Sequence, residues 1–372
     1  MKWSWKIGEF AGIGVYMHAT FLLLLGWVAL VYWQEGQSLA AVVSGVGFIV
    51  ALFACVVAHE YGHALTARRY GIKTRDITLL PIGGVARLAK MPEDPRQEFW
   101  VALAGPAVNV VIAAAIFAWL FVTNAAAPVT DVEVARGSFL ERLMLVNVFL
   151  VGFNLLPAFP MDGGRVLRAV LASRMEYTRA TQVAAHVGQG MAFLFGFAGL
   201  FSNPFLLFIA LFVWIGATQE ASVVQMRSAL SGIPVNRAMI TDYRTLSSAD
   251  PVRHAVDLIL AGSQHDFPVV DEGRLVGILT RGDLFSTLSA QGQNVQVGTV
   301  MQTSFRVVDA LDMLESAMQQ LQECACRTMP VVRGGHIVGL LTMDNVGEFV
   351  AIQAALGGSR AAPSHARDLM AS

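Results

Sequence analysis

Five stretches of the chain contain no Asp, Glu, Lys or Arg: Phe10–Gln34, Gly36–His59, Phe99–Thr130, Leu143–Met161 and Ala180–Gln219. A helix that crosses a bilayer needs about 20 consecutive, mainly apolar residues. The first four stretches each predict one such helix. The fifth is too long for one, and Ser202-Asn203-Pro204 supplies a turn near its middle, so it predicts a hairpin of two. Six spans are expected, near 11–33, 40–67, 98–123, 139–157, 183–201 and 204–222. The first reads as a retained span and not a cleavable leader, because no small-residue cleavage site follows it.

The polar positions between the spans give an orientation. Lys2 and Lys6 precede the first span, Arg68, Arg69, Lys73, Arg75, Arg87, Lys90 and Arg96 lie between the second and third, and Arg165, Arg168, Arg174 and Arg179 between the fourth and fifth. The alternate connections hold only Arg136. Basic residues collect on the cytoplasmic side, so a multi-pass protein of the cell membrane with both termini in the cytoplasm is expected.

Beyond about residue 227 the pattern changes to short apolar runs separated by polar turns. A shift of 62 places Met239 on Met301, Pro268-Val269-Val270 on Pro330-Val331-Val332, Gly277 on Gly339 and Thr280 on Thr342. An offset held across four landmarks marks a repeat. Two copies, about 232–290 and 294–352, predict one soluble α/β module over 227–356, after a membrane domain over 1–226 and before a disordered end over 357–372. The fold class expected is therefore a six-helix membrane protein followed by a tandem α/β module.

Composition agrees. Apolar residues make up 55% of the 372, and charged residues only 14%, against about 25% in ordinary soluble domains. Mean hydropathy is +0.55. A purely soluble enzyme and a disordered chain are excluded. A net charge of −1 gives no basis for nucleic-acid binding. Cys55, Cys324 and Cys326 are too few for a disulfide framework, and Cys324-x-Cys326 lacks the second pair of a structural zinc site.

The chemistry begins inside the second span, at His59-Glu60-Tyr61-Gly62-His63. Positions i and i+4 share one helix face, so both imidazoles can hold one metal while Glu60 reaches a water beside it. Two histidines and a carboxylate in a membrane span are costly unless they serve a site. Soluble zinc proteases with a third His carry Gly and His where this chain has Thr66 and Arg69, so the third ligand must come from elsewhere. Asp162 is the candidate. It follows the fourth charge-free stretch, in Asn154-Leu-Leu-Pro157-Ala-Phe-Pro160-Met161-Asp162-Gly163-Gly164-Arg165. Broken backbone at membrane depth is tolerated where it lines a cavity.

These motifs, with Gly83-Gly84-x-Ala86 and Ala104-Gly105-Pro106-x-x-Asn109, resemble the site-2 protease family of intramembrane zinc metalloproteases. The resemblance is to the branch with a C-terminal pair of cystathionine-beta-synthase-type (CBS) domains. It covers nearly the whole chain and departs from the usual pattern at Met161, where Leu is common. It implies one Zn2+ per chain on His59, His63 and Asp162, with Glu60 as general base and Asn154 as the neutral donor to the oxyanion. It also implies cleavage of a single-span membrane protein, such as a membrane-bound transcription regulator or anti-sigma factor, and possible homo-oligomers through the CBS pair.

In adenosine-binding CBS pairs a Thr and the Asp three residues later hold phosphate and ribose. Thr280 and Asp283 fit that pattern, whereas the second copy has Asn345 in place of the Asp. ATP, ADP or AMP are the expected ligands. His63 precedes Arg68 and Arg69 by about 8–9 Å of helix, which places the metal just inside the cytoplasmic boundary. Thr74–Leu88 predicts a hairpin to whose open edge an extended substrate can add as a strand. The rival reading is an ion channel or transporter with a CBS tail. Against it, the six spans contain no inverted repeat, and a Glu sits beside the first His, as hydrolysis requires.

Overall fold

The computed structural model describes residues 3–36, 38–81, 83–88, 92, 94–123, 137–324 and 326–360. It divides into two compact units, residues 1–224 and 225–372.

The first unit opens with strands where a helix was expected. β1 (Ser4–Phe10) and β2 (Ile13–His18) pair antiparallel across a two-residue turn in which Ala11 and Gly12 have φ of 52° and 77°. Two positive φ values make the turn whose twist suits a hairpin. The first apolar helix, α1 (Ala19–Gly36), therefore starts well after residue 11. An uncharged run does not by itself choose strand or helix, and Gly12 and Gly14 weigh against helix. Thr20 N donates to His18 Nδ1, so His18 caps the start of α1.

α2 (Leu39–Arg69) is capped by Ser38 and ends on Arg68 and Arg69, where unpaired carbonyls favour cations. After it come β3 (Thr74–Leu80) and β4 (Gly83–Leu88), the expected hairpin. β3 also pairs parallel with β2, so the sheet runs β1-β2-β3-β4 with β4 at an edge. α3 (Pro95–Val122) starts at Asp94, whose carboxylate accepts from Arg96 N and Gln97 N. α4 (Phe139–Asn154) starts in a capping box of Ser138 and Glu141.

Among the described residues, five helices are long and apolar enough to cross a membrane: α1, α2, α3, α6 (Tyr177–Phe201) and α7 (Phe205–Leu230). The fourth expected span is α4, with 16 residues, or about 24 Å against a hydrocarbon core near 30 Å. It stops at Asn154, before the prolines. The segment beyond the prolines, expected as a loop, contains a short helix, α5 (Asp162–Ala172).

The second unit repeats one pattern twice. The first copy holds α8 (Val252–Ala261), β5 (Phe267–Asp271), β6 (Arg274–Leu279) and α9 (Arg281–Gln291). The second holds β7 (Val308–Asp309), α10 (Leu314–Glu323), β8 (Thr328–Arg333), β9 (His336–Thr342) and α11 (Met343–Arg360). The copies exchange their leading segments. Leu230, Val235 and Ala238 are buried with Leu314, Met329 and Leu341, whereas Val297 is buried with Phe267, Val269 and Leu279.

Cys324 and Cys326 form a disulfide, and Cys55 is a free, buried thiol. Helix α11 continues through Gly357 to Arg360, where a disordered end was expected, and 361–372 lie outside the described residues.

Candidate metal centre

α2 presents His59 and His63 one turn apart on a buried face. Their Nε2 atoms lie 3.0 Å from each other. Asp162, the first residue of α5, places Oδ2 3.2 Å from each of them. The three atoms form one group able to hold a metal ion. The ligand atoms of a tetrahedral zinc, with bonds of about 2.0–2.1 Å, stand about 3.3 Å apart, so the spacing fits.

Hydrogen bonds on the far side of each ring decide which nitrogen is available. Leu143 O can only accept, so Asn147 Nδ2 donates to it at 2.8 Å. Asn147 Oδ1 then accepts from Asn109 Nδ2 at 2.7 Å, and Asn109 Oδ1 accepts from His59 Nδ1–H at 2.5 Å. Similarly, His63 Nδ1–H donates to Val101 O at 2.7 Å. Both Nε2 lone pairs are left facing Asp162, the tautomer a metal requires. Both amides are wholly buried.

Glycines make room. A Cβ on Gly105 of α3 would stand 2.6 Å from His59 Nε2 and closer still to His63 Nε2, and one on Gly62 would strike Ala104 O at 2.6 Å. The group therefore lies in a cradle that only glycine leaves open. Gly163 and Gly164 do the same for α5, whose first turn lies directly on the backbone of residues 155–159.

Glu60 points into the same cavity, of about 460 Å³, which His59, His63, Asp162, Asn154, Arg165, Gly84 and Ala86 also line. Ala86 N of the edge strand β4 donates to Glu60 Oε2 at 3.2 Å. A Cβ on Gly84 would lie 3.0 Å from Glu60 Cγ. Asn154 faces the cavity while its Nδ2 donates to Leu150 O of its own helix at 3.0 Å.

A carboxylate beside a two-His, one-Asp group has the parts of a metallohydrolase, and comparison with known proteins names the family. The profile described as peptidase family M50 matches residues 47–197, and the CBS-domain profile matches 224–290 and 297–351. A zinc metalloprotease of Methanocaldococcus jannaschii is 30% identical over 93% of this chain and 96% of its own. The chain belongs to peptidase family M50, the site-2 proteases. Rip3 of Mycobacterium tuberculosis is 27% identical over 94% of this protease and 93% of its own length. The solved site-2 protease from M. jannaschii is 37% identical, covering 59% of this chain and 95% of that one, with a TM-score of 0.43. This site-2 protease is thus a multi-pass membrane zinc metalloprotease with a CBS pair, which acts on membrane-protein substrates within the bilayer.

In the protease's second unit, Thr280 caps α9 by accepting from Asp283 N, and its hydroxyl donates to Asp283 Oδ2 at 2.6 Å. Gln302 Nε2 donates to the same carboxylate oxygen at 2.9 Å. Thr280 lines a cavity of about 730 Å³ together with Arg281, Phe285, Arg306 and Arg327. The second copy caps in the same way, with Asn345 N donating to Thr342 Oγ1.

Sequence reasoning missed Asn147 and the Val101 carbonyl. Asn147, one of two amides in a charge-free stretch, carries no spacing that marks it. For a backbone carbonyl there is no signal.

Proposed function

We propose that this protease cuts a single-span membrane protein near the cytoplasmic face, using one zinc held by His59, His63 and Asp162. The observation that carries the reading is the pair of bare Nε2 atoms and one carboxylate oxygen converging beside Glu60. Zinc, when bound, supplies a Lewis acid that lowers the pKa of water toward about 7 and polarises a peptide carbonyl.

The chain's own residues do the rest. Glu60 accepts a proton from the attacking water and passes it to the leaving amine. Ala86 N–H steadies the Glu60 carboxylate meanwhile. The Asn154 amide donates to the carbonyl oxygen as charge develops there. A substrate helix hides its carbonyls in its own hydrogen bonds, so it must be extended before cleavage. β4, at the sheet edge and beside Glu60, is the strand to which the extended segment adds.

The substrate reading, a membrane-bound transcription regulator or anti-sigma factor, rests on the family alone. Both termini lie in the cytoplasm in this reading. The membrane domain occupies about 1–226 and the CBS pair about 227–356. Thr280 and Asp283 contact an adenine nucleotide that regulates cleavage, and the CBS pair joins copies of the chain.

The test is Glu60→Gln. It keeps the size of the side chain but cannot take a proton. Purified protein is expected to retain one zinc per chain while a single-span substrate in liposomes stays uncut. Turnover equal to the parent's would overturn the mechanism.

A further inference from the structure

Arg168 has the largest fully buried side chain in the described residues, at 1% exposure. It lies six positions beyond Asp162 on α5. Its Nε donates to Glu98 Oε1 at 2.8 Å and Nη2 donates to the same oxygen. Its Nη1 donates to Glu220 Oε1 at 2.6 Å. The rings of Phe159 and Tyr177 each lie 5.0 Å from the guanidinium carbon. Glu98, on α3, is 2% exposed, and Glu220, on α7, is less enclosed.

A buried ion cluster is weak evidence for stability, because neutral residues of similar volume often serve as well. What this one does is join particular elements. α3 carries Val101 and Asn109, which orient the two imidazoles, and Gly105, which makes room for them. α5 carries Asp162. α5 has only 11 residues and its N-cap, Met161, makes no side-chain capping bond. A helix that short holds its place only through tertiary contacts. The Glu98–Arg168 pair therefore connects the helix that aims two ligands to the helix that bears the third, and Glu220 attaches both to α7.

We propose that Arg168 is a positioning residue for the metal centre, which sets the distance of the Asp162 carboxylate from the His59 and His63 Nε2 atoms. The inference rests on the reading of His59, His63 and Asp162 as ligands. It differs from a role in folding alone because its effect on metal must pass through Asp162.

The experiment is a double-mutant cycle on the purified full chain. It reads the zinc dissociation constant by competition with a chelating dye and the thermal unfolding midpoint of each variant. Arg168→Lys keeps the charge but cannot reach both carboxylates with a planar fork. It is expected to weaken zinc binding about tenfold or more, the usual loss when support behind a ligand is removed. In an Asp162→Asn background the same change is expected to alter zinc affinity less than about twofold, since its effect is already spent. Equal losses in both backgrounds, or unchanged affinity in a folded Arg168→Lys protein, would overturn the proposal.

Glu220→Gln repeats the cycle with a milder change, removing one partner and leaving Glu98, and it decides the matter if Arg168→Lys does not fold. If Asp162→Asn alone leaves zinc affinity at the parent's value, the ligand reading itself fails. If Asp162→Asn weakens binding but neither Arg168→Lys nor Glu220→Gln does, only the positioning role fails.

Discussion

At the scale of single residues, the metal centre depends as much on what is missing as on what is present. Gly105 faces both Nε2 atoms, and a methyl group there would occupy the space in front of them. In a helix, Gly→Ala ordinarily stabilises by about 1 kcal/mol. At Gly105 that gain is offset, because the new Cβ must displace a buried imidazole held by its own hydrogen bond. Zinc content of Gly105→Ala is expected to fall from one per chain to a small fraction. Normal zinc content, by atomic emission, would contradict the cradle. The three residues that could hold the metal stand out in the sequence because they are polar side chains in apolar surroundings. Asn109 was visible only as part of a motif, and Asn147 not at all. Its place is set by packing of α4 on α3, which no local spacing encodes. Arg168 was misread. As one basic residue among several between two spans it counted as a loop charge, yet it is buried against Glu98 and Glu220.

Elements were read with uneven success, and the failures share a cause. Absence of charge marks a segment as buried in lipid or protein but carries no periodicity, so the run Phe10–Gln34 hid a strand and a shorter helix behind one expected span. The hairpin at 74–88 was legible because Pro81 and Gly83-Gly84 punctuate two short apolar runs. The parallel pairing of β2 with β3 was not, since α1 and α2 intervene. β4 has its own consequence for activity. Among the described residues, Ala86 N–H is the one backbone donor to Glu60, and a hydrogen bond to a charged group contributes about 1.5–3 kcal/mol. Ala86→Pro removes that donor on an edge strand, where proline is tolerated. It is expected to reduce kcat about tenfold to a hundredfold, with zinc content unchanged. If kcat holds while KM alone rises, β4 serves substrate binding only and Glu60 does not need its support.

Over the whole molecule, the repeat of 62 residues was legible in detail because its landmarks are contacts. A Cβ on Gly277 would meet Met301, and one on Gly339 would meet Met239, so each copy's glycine receives the other copy's methionine. A nucleotide in the CBS unit alters cleavage only if it binds two arrangements of the protein with different affinity. A tenfold preference corresponds to about 1.4 kcal/mol, which changes the rate by up to about tenfold and does not act as an all-or-none switch. The Asp283 carboxylate accepts from Thr280 and Gln302 through Oδ2, and its other oxygen is the acceptor to which a ribose hydroxyl would donate. Titration calorimetry on the full chain in detergent is expected to detect ATP, ADP or AMP at micromolar to millimolar concentration, and the same nucleotide to shift the cleavage rate several-fold. Asp283→Asn keeps the backbone bond that starts α9 but loses the charge, and is expected to weaken both effects together. No heat with any of the three at millimolar concentration would leave the CBS pair as a dimerisation platform. Binding with an unchanged rate would mean that the CBS unit does not regulate cleavage.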